Sequence, residues 1–117
     1  MLKNIHLEMI TPSKIMLDRD VELVFVPGSE GLFGVLPLHA DLLSKLKFGF
    51  VEIYENGNGI KKIAINGGIA DVSKDKITIL SQYAENIDKD SPKKIKEKAA
   101  QSGDEEKKFL DKIIELI

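Results

Sequence analysis

Apolar residues recur at a spacing of two through residues 2–84, and after residue 84 the spacing lengthens to the three or four of a helix. Residues 2–10 place Ile5, Leu7 and Met9 on one face and His6 and Glu8 on the other, the alternation of a half-buried strand. Thr11-Pro12-Ser13 breaks that pattern, a short strand is predicted over 14–17, and Asp18-Arg19-Asp20 reads as a turn. Residues 21–26 are nearly all apolar, which predicts a strand covered on both faces. Strands over 50–55 and 60–66 flank Asn56-Gly57-Asn58-Gly59, and Asn-Gly pairs supply the positive-φ turns that match the twist of antiparallel neighbours. Strands at 69–72 and 77–80 pair in the same way across 73–76. Strands at such short spacing predict an all-β sandwich or barrel with Ile5, Leu7, Val21, Phe25, Leu36, Ile53, Ile63, Ile65, Ile77 and Ile79 in its core.

The change of period sets two units, a β domain over residues 1–84 and a helical hairpin over 85–117. Ser91-Pro92 suits a helix start, because Ser can cap free amides and Pro is tolerated at the first helical position. Ser102 and Glu105 make a candidate capping box for a second helix, with Asp104, Glu105 and Glu106 near its positive end. Phe109, Leu110, Ile113, Ile114 and Ile117 then form one apolar stripe.

Composition narrows the function. The chain has 117 residues, room for one core-bearing domain and an appendage, and its 43 % hydrophobic and 31 % charged residues are those of a folding chain. A net charge of −2 provides no basic field for nucleic acid or anionic lipid. The absence of cysteine rules out disulfides, thiol catalysis and cysteine zinc sites. No apolar run is long enough to cross a bilayer, and Met1-Leu2-Lys3 lacks the basic-then-apolar form of a signal peptide, so a protein neither exported nor inserted is expected.

Candidate chemistry is sparse. His39 and Asp41 could form an acid–base couple, but an i, i+2 spacing enforces no hydrogen bond, and an exposed loop histidine is the preferred reading. His6 reads as a solvent-facing strand position. Gly28, Gly31 and Gly34 match neither a dinucleotide fingerprint nor a P-loop. Asn66-Gly67-Gly68 reads as a bulge or tight bend. Lysines 93–98 read as a solvated helix face.

One series of residues resembles a known family. Val26-Pro27-Gly28-Ser29-Glu30-Gly31, then Gly34, Pro37, His39-Ala40 and Leu42-Leu43, is similar to the loop signature of ATP synthase epsilon subunits. Ile10-Thr11-Pro12, Gly67-Gly68 and the stretch from Ile77 to Leu80 before Ala84-Glu85 match in the expected order. The helical tail matches in type and is shorter than usual. The resemblance implies a sandwich of about ten strands followed by the short C-terminal helical hairpin. The implied role is a non-catalytic central-stalk rotor subunit of a proton-translocating enzyme, peripheral on the cytoplasmic face of the bacterial inner membrane.

The implied partners are the gamma subunit along one sandwich edge, the c-ring at the loops, and the alpha/beta hexamer for an extended tail that would restrain ATP hydrolysis. By position the ring-facing loop holds Ser29, Glu30, Gly31 and His39, and Leu32 and Phe33 add apolar area where an acidic residue is common in the family. No cofactor is expected. Some members hold ATP through an Ile/Leu-Asp-x-x-Arg-Ala motif, and the stretch here is Ile87-Asp88-Lys89-Asp90-Ser91-Pro92, with Ser for Arg. The regulatory stripe is Phe109, Leu110, Ile113, Ile114 and Ile117. Two other readings are weaker. A carbohydrate-binding sandwich would stack sugars on exposed rings, for which five Phe, two Tyr and no Trp are a poor supply. A small hydrolase built on His39 and Asp41 lacks an identifiable nucleophile.

Overall fold

The structure, a computed structural model, describes residues 4–55, 57 and 59–117. Eight strands are followed by two helices: β1 (Ile5–Ile10), β2 (Ile15–Val21), β3 (Leu23–Gly28), β4 (Gly31–Val35), β5 (Leu42–Glu55), β6 (Gly59–Val72), β7 (Lys76–Leu80), β8 (Ala84–Ile87), α1 (Ser91–Ala99) and α2 (Asp104–Leu116). The sheet runs β2-β1-β7-β6-β5-β3-β4, with β8 on β6, and β1–β7 is a parallel pair. The sheet folds over an apolar interior. Arg19 of β2 pairs with Glu55 of β5, a strand that is not its neighbour in the ladder.

Eight strands stand where the resemblance implied about ten, because β5 and β6 are each 14 residues long and serve two parts of the fold. One half of β6 pairs β8 through Lys62–Ile65, and the other pairs β7 through Ile69–Val72. The sequence reading divided β6 into two strands at Gly67-Gly68. The chain instead bends there without leaving the sheet, with φ of 77° and 129° at the two glycines. The Asn56 and Asn58 of the predicted hairpin turn lie outside the described residues, as does the start of the first predicted strand; β5 and β6 pair up to Glu55↔Gly59.

Other expectations need correction. Asp18-Arg19-Asp20 is strand, not turn: β2 is an edge strand, where outward charges are tolerated, and His6 faces Asp20 across the ladder. Residues 31–35, read as loop, are β4, which returns on β3 after the two-residue turn Ser29-Glu30. Leu36 is 57 % exposed, since the pairing of β4 ends at Val35. Phe25 is half-buried on the outer face, packed edge-on against Tyr54, while Val24 and Val26 point inward. The remaining predicted core residues, Ile5, Leu7, Val21, Ile53, Ile63, Ile65, Ile77 and Ile79, are all buried.

A second, smaller core lies on the outside of the sheet. Ala64 faces outward between the inward Ile63 and Ile65, and with Phe48 and Phe50 it meets Ile95 and Ala99 of α1 and Phe109, Leu110 and Ile113 of α2. Residues 63–65 are apolar without alternation because both faces are covered. The expected caps are absent. Ser91 lies inside α1 at 2 % exposure, accepting a hydrogen bond from the Asp88 amide at 2.7 Å and donating to the Asn86 carbonyl at 3.2 Å. Ser102 bonds back to the Lys98 carbonyl, and α2 starts from Gly103 without a side-chain cap.

Candidate functional site

Three surfaces hold the residues singled out by the sequence. The first is the loop end of the sandwich. Ser29 and Glu30 are exposed in the β3–β4 turn, whose Ser29 amide donates to the Lys45 carbonyl at 2.9 Å. Leu32 is 64 % exposed, whereas Phe33 lies against the sandwich core and fills the space over Gly28. Gly31 takes φ of 134°, which favours glycine at this hairpin exit.

His39 is not part of that turn. Its segment is anchored to the β6–β7 turn by the Leu38 amide, which donates to the Lys74 carbonyl at 2.6 Å. The Ser29 turn is thus held at Lys45 of β5 and the His39 segment at Lys74 of the β6–β7 turn, so the loop signature divides into two separately anchored parts. The His39 Nδ1 is 2.6 Å from the Ala40 carbonyl and, in the tautomer that donates there, is tied up locally. No acid–base pair with Asp41 is formed. Among the described residues no group of His, Cys, Asp or Glu could hold a metal.

The sequence reading missed three strongly exposed leucines in residues 36–43. Leu36 (57 %), Leu38 (59 %) and Leu43 (71 %) are strongly exposed. Leu38 has φ of 69°, a left-handed conformation that a branched side chain rarely takes. The available signal was the crowding of Leu across residues 36–43 without strand alternation.

The second surface is an apolar groove of about 350 Å³ formed by Ile10, Pro12, Gly68, Ile69 and Leu80. The bend of β6 creates it. Ser81 is buried and donates to the Gly67 carbonyl at 2.7 Å, satisfying the bent backbone, while Ile69 and Leu80 remain 44 % and 47 % exposed.

The third is the tail. Phe109, Leu110 and Ile113 are buried and Ile114 half-buried, as the stripe predicts, but Ile117 is 42 % exposed beyond the end of α2. The Phe109 ring stacks on Tyr83 at 5.9 Å and meets Phe48 edge-on at 5.9 Å, with the Lys112 ammonium 4.5 Å from the centre of the Phe48 ring.

Elsewhere, His6 on β1 bridges Asp20 at 2.8 Å and Asp18 at 2.5 Å. Hydrogen bonds to Asp20 and then Asp18 raise its pKa above the ordinary 6.5. Among the described residues no helix is long and apolar enough to cross a membrane.

The class defined here is an eight-stranded β-sandwich with a helical hairpin docked on its outer face, and exposed apolar side chains lie at its loop end and beside the β6 bend. The family described as ATP synthase, Delta/Epsilon chain, beta-sandwich domain matches residues 4–87. The ATP synthase epsilon chain of Nitratidesulfovibrio vulgaris strain DP4 is 43 % identical over 105 residues, covering 86 % of this chain and 77 % of that one. That of Desulfatibacillum aliphaticivorans is 37 % identical over 114 residues, covering 95 % and 81 %. Among solved structures, a chain of the Euglena gracilis mitochondrial ATP synthase, OSCP/F1/c-ring in rotational state 1, aligns with a TM-score of 0.70 at 26 % identity, covering 90 % of this chain and 71 % of that one. This chain belongs to the ATP synthase delta/epsilon family.

Proposed function

We propose that the chain is the non-catalytic epsilon rotor subunit of a proton-translocating F-type ATP synthase, joining gamma to the c-ring at the cytoplasmic face of the bacterial inner membrane. The family match over residues 4–87 carries this reading. The assembly named for the Euglena neighbour includes F1 and a c-ring, the setting in which such surfaces would be covered.

The loop end, with Ser29, Glu30, Gly31, Leu32, Phe33 and His39, is the ring-facing site. Glu30 provides its exposed charge, Leu32 its apolar contact, and Phe33 holds the hairpin in shape from within. The groove at Ile69 and Leu80 is the surface offered to gamma, because an exposed apolar hollow beside a rigid bend suits a packed partner. The two units of this reading are a sandwich over residues 1–84 and a hairpin over 85–117, joined through β8, whose Ala84–Ile87 pairs with β6. The stripe of Phe109, Leu110, Ile113, Ile114 and Ile117 is the regulatory element, docked in this state and able to reach the alpha/beta hexamer when extended.

The test is co-purification of the tagged chain with gamma, the alpha–beta hexamer and the c-ring. Glu30→Lys and Leu32→Asp are expected to weaken capture of the ring alone. Ile69→Asp is expected to weaken capture of gamma. Recovery of the chain without any of these partners sinks the reading.

A further inference from the structure

Edge strand β2 carries charge on both faces. Asp18 and Asp20 lie on its outer face, and Arg19 between them turns to the inner side, opposite the buried Leu7, where it pairs with Glu55 of β5. On the outer face Asp20 stands opposite His6 of β1 in the ladder, and Asp18 stands opposite Glu8. Two carboxylates directly opposite one another work against the pairing of their strands. Lys76 of β7 is 3.5 Å from Glu8, while among the described residues the one ion-pair partner of Asp18 and of Asp20 is His6.

Both nitrogens of the His6 ring are engaged. Nδ1 is 2.8 Å from Asp20 and Nε2 is 2.5 Å from Asp18. A neutral imidazole carries one N–H, so it donates to one of these carboxylates and turns a lone pair toward the other. Only the protonated ring satisfies both. The pKa of His6, raised first by the hydrogen bond to Asp20 and then by that to Asp18, agrees with this geometry. From β7, Asp75 meets His6 through its backbone carbonyl, which accepts the His6 amide at 3.0 Å, and Lys76 stands opposite His6 as a like charge that Glu8 offsets.

We propose that His6, Asp18 and Asp20 form a proton-operated clasp at the edge of the sheet: the protonated ring holds β2 (Ile15–Val21) to β1, and loss of the proton lets β2 open locally. β2 ends the ladder and pairs with β1 alone, so no second strand retains it when the clasp is undone. Glu8, Asp18 and Asp20 then face Lys76 as the one remaining cation paired on this surface among the described residues. The clasp is closed below about pH 6.5 and opens as pH rises through the higher folded value of His6. This inference concerns the chain alone and stands independently of the rotor reading.

Amide hydrogen exchange on the full chain tests it, since local openings appear as segment-specific loss of protection. Protection is followed from about pH 5.5 to about pH 8.5 and corrected for the intrinsic pH dependence of amide exchange. The β2 amides are expected to be less protected than those of the central β5 and β6, and to lose roughly a further two- to fivefold as His6 deprotonates, the small step that exposed ion pairs support. Strand β4, at the other end of the ladder, opens without breaking the clasp and is expected to show no step. His6→Gln is expected to abolish the step in β2. Absence of the step in the wild type overturns the proposal, as does a step of equal size in β4, β2 protection equal to that of β5 and β6, or a step that survives in His6→Gln. Should His6→Gln fail to fold, Asp20→Asn must lower the midpoint of the His6 ring titration followed by NMR and shrink the step; an unmoved midpoint also overturns it.

Discussion

Gly68 and Leu80 approach so closely that a Cβ on Gly68 would lie 2.0 Å from the Leu80 carbonyl oxygen. That contact brings β6 against β7 at the bend and shapes the apolar groove. Backbone stands on both sides, so no side chain can yield.

Gly68→Ala is therefore expected to destabilise the fold by about 2–4 kcal/mol, through overpacking and through the strain of φ at 129°. Urea unfolding measures it. A loss below about 1 kcal/mol shows that the sheet opens at the bend without difficulty.

Leu38 presents the opposite case. A left-handed L-residue carries about 1–2 kcal/mol of strain, and glycine does not, though glycine adds entropy to the unfolded chain. The Leu38 side chain is 59 % exposed, so little burial is lost on removing it. Leu38→Gly is expected to stabilise the isolated chain by roughly 0.5–1 kcal/mol, read from the urea midpoint, while weakening ring capture. Destabilisation by more than that amount means the leucine is held by contacts stronger than its strain.

The pH dependence of stability falls on His6. Its folded pKa is raised by Asp20 and Asp18, so the protonated form binds more tightly in the native state. The contribution is fully present below about pH 6.5, the unfolded value, and is lost as pH rises through the higher folded value. All three side chains are substantially exposed, so the effect is small and falls with salt. His6→Gln is expected to flatten the stability profile above pH 6.5, and an unchanged slope removes His6 from the account.

The legible part of this fold was its inward-facing alternation. Ile5 and Leu7, and Ile77 and Ile79, reported burial directly, because one sheet face was apolar and the other was not, whereas Ile63 and Ile65 flank Ala64, which is buried on the opposite face. Reading failed where a position answered to a distant partner. Asp18 and Asp20 look like turn residues until His6 stands opposite, and Leu36 looks like core until the pairing of β4 stops at Val35. Ser91 had the composition of a cap, yet it ties β8 to α1 from inside the helix. At the candidate site, the turn with Glu30 was visible in its glycines and proline, whereas the separation of His39 from it depends on the two segments being anchored at different places, Lys45 and Lys74.

Binding of ATP by the tail is expected to be weak. In the stretch that resembles the family's nucleotide motif, Ser91 stands at the arginine position and is buried in its own hydrogen bonds, and the Asp88 carboxylate accepts the Asp90 amide at 2.9 Å. A charge-assisted hydrogen bond contributes about 1.5–3 kcal/mol, so its absence lowers affinity by tenfold or more. Calorimetry on the isolated chain measures this, and micromolar affinity contradicts it.

The tail is expected to restrain ATP hydrolysis only modestly in the assembled enzyme. Isolated helices become stable near ~12–15 residues, and α1 and α2 have 9 and 13, so their order depends on docking. Joined into one rod, residues 92–117 span at most ~39 Å at 1.5 Å per residue. Such a rod places Gly103 in a helix interior, at about 1 kcal/mol relative to Ala, and gives up the contacts of Phe109 with Phe48 and Tyr83. Both effects favour the hairpin, and a few kcal/mol decides a two-state element of this kind. Deleting residues 91–117 should then raise hydrolysis by less than about twofold, whereas Gly103→Ala, which eases the rod, should lower it in the full-length chain. A large rise on deletion would show that even this short tail reaches the catalytic hexamer and holds it.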